Sequence, residues 1–172
     1  MKQKTYYIGG SFLVLLLVAF DQYTKYLATQ NLKGQESFVL IKNVFSLHYL
    51  ENVGAAFGLF ENQRIFFIIS TAIILCLIIY FFVKTPKIKR YQPMLFTLLF
   101  VVAGAIGNCI DRIWLGYVVD FFYFELIDFP VFNVADCYIV VALFVFSFLL
   151  LFYYKEEELT FFSLKQKEES DV

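Results

Sequence analysis

Ile65-Phe-Phe-Ile-Ile-Ser-Thr-Ala-Ile-Ile-Leu-Cys-Leu-Ile-Ile-Tyr-Phe-Phe-Val83 contains no Asp, Glu, Lys or Arg. A helix needs about 20 mostly apolar residues, in a range of about 17–25, to cross the hydrocarbon core of a bilayer. This run qualifies as it stands, as do Tyr91 to Ile110 and Cys137 to Tyr154. Thr5 to Phe20 is also uncharged and reaches spanning length once extended to about Ala28, which draws Asp21 and Lys25 into its last turns. The expectation is an all-α membrane protein with four transmembrane helices at about 6-28, 65-83, 93-113 and 136-154. The chain as a whole agrees: 60% of its 172 residues are hydrophobic, against roughly 45–50% apolar in ordinary globular proteins.

Working outward from these spans, residues 1-154 read as a single integral-membrane domain and 155-172 as a charged tail. Lys2 and Lys4 ahead of an apolar run imitate a secretory signal, but the run ends Val-Ala-Phe-Asp-Gln, without the small-x-small site of a cleaved one. The connection Lys84-Thr-Pro-Lys-Ile-Lys-Arg90 is short and basic. By the positive-inside rule it is cytoplasmic, which puts both termini there and turns the segments of about 29–64 and 114–135 outward. The first outer segment holds two β-rich stretches, Ser37 to Ile41 and Val44 to Leu50, with Lys42-Asn43 as the turn. A small extracytoplasmic β-structure follows from that pattern. The second, from Trp114 to Phe132, is so aromatic that it should lie as a loop in the membrane interface.

Several chemistries fail for want of residues. The only histidine, His48, sits in an expected strand, so a nucleophilic triad has no base. Cys76, Cys109 and Cys137 lack the paired spacing of a metal site and read as packing residues. A phosphate-cradling Gly-rich loop is missing; the net charge of -1 says nothing about nucleic acid, but no basic cluster with interleaved aromatics appears, so no nucleic-acid partner is expected.

Carboxylates remain. Asp120 stands in Val-Val-Asp-Phe and Asp136 in Phe-Asn-Val-Ala-Asp, at the mouth of the last span. A charge near the bilayer centre costs roughly 2.5–3.5 kcal/mol even on the mild insertion scale, which makes both functional suspects. Two carboxylates brought together cannot both ionise readily and can share a proton for acid/base work on a peptide bond. Asn133 with Asp136 also has the look of a capping box, which accounts for Asp136 alone but not for Asp120. Asp21 and Lys25 are spaced i, i+4 with the acid first, a structural pair pinning the outer end of helix one. Asp111 and Arg112 read as an ion pair with each other or with neighbours. Gly104 and Gly107 permit close approach of another helix. The rival readings are a Mg-dependent membrane lipid-headgroup transferase, using the acids as metal ligands, and a small proton-coupled transporter subunit.

Asp21-Gln-Tyr-Thr-Lys25, Asn52-Val-Gly-Ala-Ala-Phe-Gly58, Gly104-Ala-Ile-Gly-Asn108-Cys-Ile-Asp111-Arg112, Val118-Val-Asp120-Phe and Phe132-Asn133-Val-Ala-Asp136 together resemble bacterial lipoprotein signal peptidase (signal peptidase II). The resemblance implies an aspartic endopeptidase of the cytoplasmic (inner) membrane, active near its outer face, that cuts diacylglyceryl-modified prolipoproteins before the lipidated cysteine. It implies Asp120 and Asp136 as catalytic residues. Asn52, Gly54, Asn108, Asp111, Arg112, Asn133, Ala135, Asp21 and Lys25 are implied as substrate-binding or site-supporting. It implies no metal or cofactor, membrane lipids as surroundings, and inhibition by globomycin-type cyclic peptides. Ile127-Asp128-Phe echoes Val119-Asp120-Phe, but Asp120 has the family spacing after Asp111-Arg112.

Overall fold

Four helices carry the architecture, each long and apolar enough to cross a membrane: residues Lys4–Leu32, Arg64–Lys84, Lys89–Trp114 and Val134–Tyr153. This is a computed structural model, and it describes residues 3–54 and 63–162. In chain order the elements are α1 (Gln3–Leu32), β1 (Phe38–Ile41), β2 (Phe45–Asn52), α2 (Arg64–Lys84), α3 (Gln92–Trp114), β3 (Val118–Tyr123) and α4 (Val134–Phe148). The last span is completed by a π-helical turn, Leu149–Tyr153, and a 3-10 segment follows at Glu156–Phe162.

α3 is the hub. α1, α2 and α4 all pack against it, while α2 and α4 scarcely touch each other. The reason lies in side-chain size. Ala103, Gly104 and Gly107 are buried on α3, and without bulky side chains its backbone can approach its neighbours closely, the usual way helices associate where lipid supplies no hydrophobic drive. At Gly104 the approach is so close that a Cβ would stand 2.4 Å from the Ala135 carbonyl oxygen. α2 is the opposite case, with mean hydropathy suited to lipid and no buried residue at all. Its N-terminal end is tied down by the Arg64 guanidinium, which donates to the Ile113 carbonyl at the end of α3.

The expected β-rich stretches form the hairpin β1–β2, with Asn43 supplying the positive φ of 59° that the turn requires. A third strand joins them. β3 pairs antiparallel with β2, in the order β1-β2-β3, and its register sets Leu50 against Asp120 and Asn52 against Val118. The segment read as an interfacial loop therefore begins as a strand, and Asp120 sits on that sheet. Burial explains why. Val119 and Phe121 lie in a core with Ala28, Leu32 and Val134, so β3 is covered by α1 and the start of α4. After β3 the aromatic segment folds back, and Phe132 exchanges backbone hydrogen bonds with Phe122.

Candidate active site

The C-terminal end of α3, the start of α4 and the ends of β2 and β3 converge on a cavity of about 570 Å³, lined among others by Asn52, Gly54, Asn108, Arg112, Asp120, Asp136 and Cys137. Asp120 comes from β3 and is 1% exposed. Its Oδ2 accepts from Asn52 Nδ2 at 2.8 Å, and its Oδ1 from Asn133 Nδ2 at 2.6 Å. Asp136 comes from the first turn of α4. Its Oδ1 accepts from Asn108 Nδ2 at 2.7 Å, and its Oδ2 from the Asn133 backbone N–H at 3.1 Å.

Asn133 joins the two. As N-cap of α4 its side-chain oxygen accepts from the Asp136 N–H at 3.0 Å, while its amide nitrogen reaches Asp120. The capping box expected from sequence is present in full. The two readings of Asp136, helix cap and site residue, describe one arrangement.

Beneath this layer lies a buried ion cluster. Lys25 Nζ is 3.0 Å from Asp21 Oδ2, 3.0 Å from Asp111 Oδ2 and 2.9 Å from Asn108 Oδ1. An ammonium can only donate, so the Asn108 atom facing it must be the oxygen, and the NH2 group is left for Asp136. The outer carboxylates continue the network. Asp21 Oδ1 accepts from the Ala135 N–H, one of the free donors at the start of α4, at 2.9 Å. Asp111 Oδ2 accepts from the Val119 N–H at 3.1 Å, holding β3 against α3. Gln22 Nε2 bridges Asp21, the Gly107 carbonyl and Asp111. Gly107 leaves room for Asp21: a Cβ there would stand 2.5 Å from its Oδ2.

The i, i+4 pair of Asp21 and Lys25 thus forms as expected, but Lys25 also serves α3, so it does more than pin helix one. Asp111 pairs with Lys25 and not with Arg112. Arg112 instead donates to the Gly54 carbonyl at 3.2 Å and stacks over the Phe67 ring at 4.5 Å. Gly54 N–H in turn donates to Asn52 Oδ1 at 3.0 Å, which orients the Asn52 amide towards Asp120. Ala55-Ala-Phe-Gly58 of the same motif lies outside the described residues. Asp128, the sequence echo of Asp120, is exposed and accepts from the Tyr123 hydroxyl at 2.7 Å, away from the cavity. His48 Nδ1 is 2.9 Å from Ser37 Oγ in the hairpin, a local tie. Phe129 to Phe132 form the cavity's aromatic wall; the sequence marked them as interfacial but gave no sign that they face the acids.

Electrostatically the site is overcharged with acid. Among the described residues, Asp21, Asp111, Asp120 and Asp136 face Lys25 and Arg112 as cations. Burial, and next the charge of Asp136, push the Asp120 carboxyl up to about 7, against the donors Asn52 and Asn133 and the more distant Lys25, which pull it down. At neutral pH such a group holds a proton about half the time. Two carboxylates in one cavity, one able to hold a proton, can activate water and protonate a carbonyl oxygen.

Comparison with known proteins gives a consistent result. A family model described as Signal peptidase (SPase) II matches residues 13–152. A lipoprotein signal peptidase of Caldanaerobacter subterraneus subsp. tengcongensis is 45% identical over 141 residues, 81% of this chain and 94% of that protein. One of Enterococcus faecalis is 44% identical over 137 residues, 79% of this chain and 84% of that protein. A solved bacterial membrane enzyme superposes with a TM-score of 0.71 at 31% identity, covering 95% of this chain and 94% of that one.

Proposed function

The chain belongs to the signal peptidase II family, a membrane peptidase that removes signal peptides from prolipoproteins, and from that premise we propose that Asp120 and Asp136 are its catalytic pair. The observation that carries the proposal is their common cavity, with Asn133 touching Asp120 through its side chain and Asp136 through its backbone. The substrate is a prolipoprotein whose cysteine already bears a diacylglyceryl group. Its acyl chains stay in lipid while the peptide lies over the cavity between the sheet and the aromatic wall.

The proton resides on Asp120, leaving Asp136 as the base. Asp136 takes a proton from water as the water oxygen attacks the carbonyl carbon before the cysteine. Asp120 gives its proton to the carbonyl oxygen. The tetrahedral species collapses: one hydroxyl returns its proton to Asp120 as the new C=O forms, the C–N bond breaks, and the cysteine amine leaves with the proton held by Asp136. Asn52, Asn108 and Asn133 hold the carboxylates, and Lys25, Asp21, Asp111 and Ala135 hold the asparagines and the start of α4. Arg112 and Gly54 fix the entry to Asn52. No step needs a metal or cofactor.

The site faces the outer leaflet of the bacterial inner membrane, with both termini and residues 155-172 in the cytoplasm, because Lys84, Lys87, Lys89 and Arg90 lie at the opposite end of the bundle. A cyclic peptide of the globomycin type would block the cavity. The relatives give no support to the transferase or transporter readings. The test is gel-shift cleavage of a diacylglyceryl prolipoprotein by wild type, Asp120→Asn and Asp136→Asn, with and without EDTA. Wild-type cleavage indifferent to EDTA and abolished in both variants is expected. Robust turnover by either variant defeats the assignment.

A further inference from the structure

Below the candidate site, α2 and α4 stand apart on α3 and leave an apolar groove between them. A cavity of about 410 Å³ occupies its inner half, walled by Ile78 and Phe81 of α2, Thr97 and Val101 of α3, and Leu143 and Phe146 of α4. Helical spacing puts this groove in line with the site. Thr97, Val101 and Asn108 share one stripe of α3, and Leu143, Val140 and Asp136 one stripe of α4. At its far end the groove has a floor. The 3-10 segment Glu156–Phe162 leaves α4 and reaches the α2 side. There Glu158 grips the Arg90 guanidinium through both oxygens, at 2.8 and 2.9 Å. The Tyr91 hydroxyl donates to the Glu158 carbonyl at 2.7 Å, and the same guanidinium stacks on Tyr153 at 3.9 Å.

We propose that this groove seats the hydrophobic helix of the signal peptide, and that the clasped tail segment beneath it limits how long that helix can be. The proposal rests on the peptidase reading above and adds a length rule to it. Three features favour a signal helix as occupant. The groove lies in line with the acids on the same stripes of α3 and α4, so a guest helix lying in it delivers its C-terminal end to the cavity. Its length fits: from Thr97 to Asn108 on α3 is about 17 Å at 1.5 Å per residue, or about 11 helical residues, inside the 7–15 of a signal peptide's apolar region. Its floor carries Glu156 and Glu157, both exposed and without an ion pair among the described residues, where a signal peptide carries its basic N-terminal region. Of the nearby cations, Lys89 and Lys155 are exposed and the others are engaged. Arg90 is held by Glu158, Lys87 donates to the carbonyls of Phe82 and Thr85, and Lys84 lies over the Tyr80 ring.

The experiment uses lipidated precursors whose apolar regions are varied from 7 to 19 residues (roughly one turn per step), together with a short lipidated peptide that spans only the cleavage region. For wild type, kcat/KM should peak at roughly 11 residues and fall at least several-fold one turn beyond. Glu158→Ala, which opens the clasp, should restore the long precursors while leaving the short peptide unchanged. Leu143→Trp, at a position already 50% exposed, should raise KM for all precursors but not for the short peptide. A flat length profile in wild type overturns the proposal whether or not either variant folds. Equal effects of Leu143→Trp on precursor and short peptide overturn the groove as well, leaving lipid as its occupant. Failure of wild type to cut any substrate sinks the peptidase reading instead.

Discussion

Replacing Asp120 by Asn should change stability in a way that depends on pH, and the dependence follows from where the carboxyl sits. In the folded chain it is pushed up to about 7; in the unfolded chain an aspartate lies near 3.9. The folded state therefore binds the proton more tightly. The resulting stabilisation is complete below about pH 4 and is lost as pH rises towards 7, because in that window the unfolded chain releases a proton that the folded chain keeps. Three pH units at about 1.4 kcal/mol each set a ceiling of about 4 kcal/mol on the cost of keeping Asp120 at high pH. Asparagine does not titrate. It does bring a fixed penalty, since Asn52 and Asn133 both donate to this position and one donor must now face an NH2 group, at about 1–3 kcal/mol. That penalty does not vary with pH. The stability of Asp120→Asn relative to wild type should thus climb by about 1.4 kcal/mol per pH unit between about pH 4 and 7 and level off above. Unfolding of both proteins in the same detergent at pH 5, 6, 7 and 8 measures it. Parallel profiles would refute the claim that burial and Asp136 hold the proton on Asp120.

The activity of wild type should decline by about tenfold per pH unit above about pH 7, as the proton on Asp120 is lost; a rate constant that holds to pH 9 contradicts its role as acid. Lys25→Met strands the buried carboxylates of Asp21 and Asp111 and should cost about 3–5 kcal/mol, read as a lowered melting temperature together with lost cleavage. Gly107→Ala pushes a methyl group against Asp21 and should cost about 1–3 kcal/mol by the same melting assay. Asp128→Asn should leave turnover of the lipidated precursor unchanged, since that side chain points to Tyr123 and away from the cavity.

The spans were readable because lipid imposes length and apolarity on any crossing helix, and runs such as Ile65 to Val83 obey both. The hairpin was readable from β-branched runs around Lys42-Asn43. β3 was not. Val-Val-Asp-Phe-Phe-Tyr alternates too little to show a face, because Val118 to Phe121 are all buried and so give no polar side to the pattern. Asp120 and Asp136 could be picked out by their apolar neighbours, and both do line one cavity. Their connections could not, since Lys25 meets Asn108 across 83 positions and Asp21 meets Ala135 across 114. Only the tertiary packing of α1 and α4 on α3, through the small residues of α3, creates those meetings. Sequence left the partner of Asp111 open between Arg112 and another neighbour, and the fold selects Lys25.

Because the carboxylate of Asp136 is fastened to the backbone of Asn133, one half of the acidic pair is set in place by the first turn of the last helix. Nucleating that turn and arming that half of the site are a single event. Any sequence change that shifts where α4 begins, even by one residue and even with the aspartate retained, would leave a well-formed bundle around an unarmed centre.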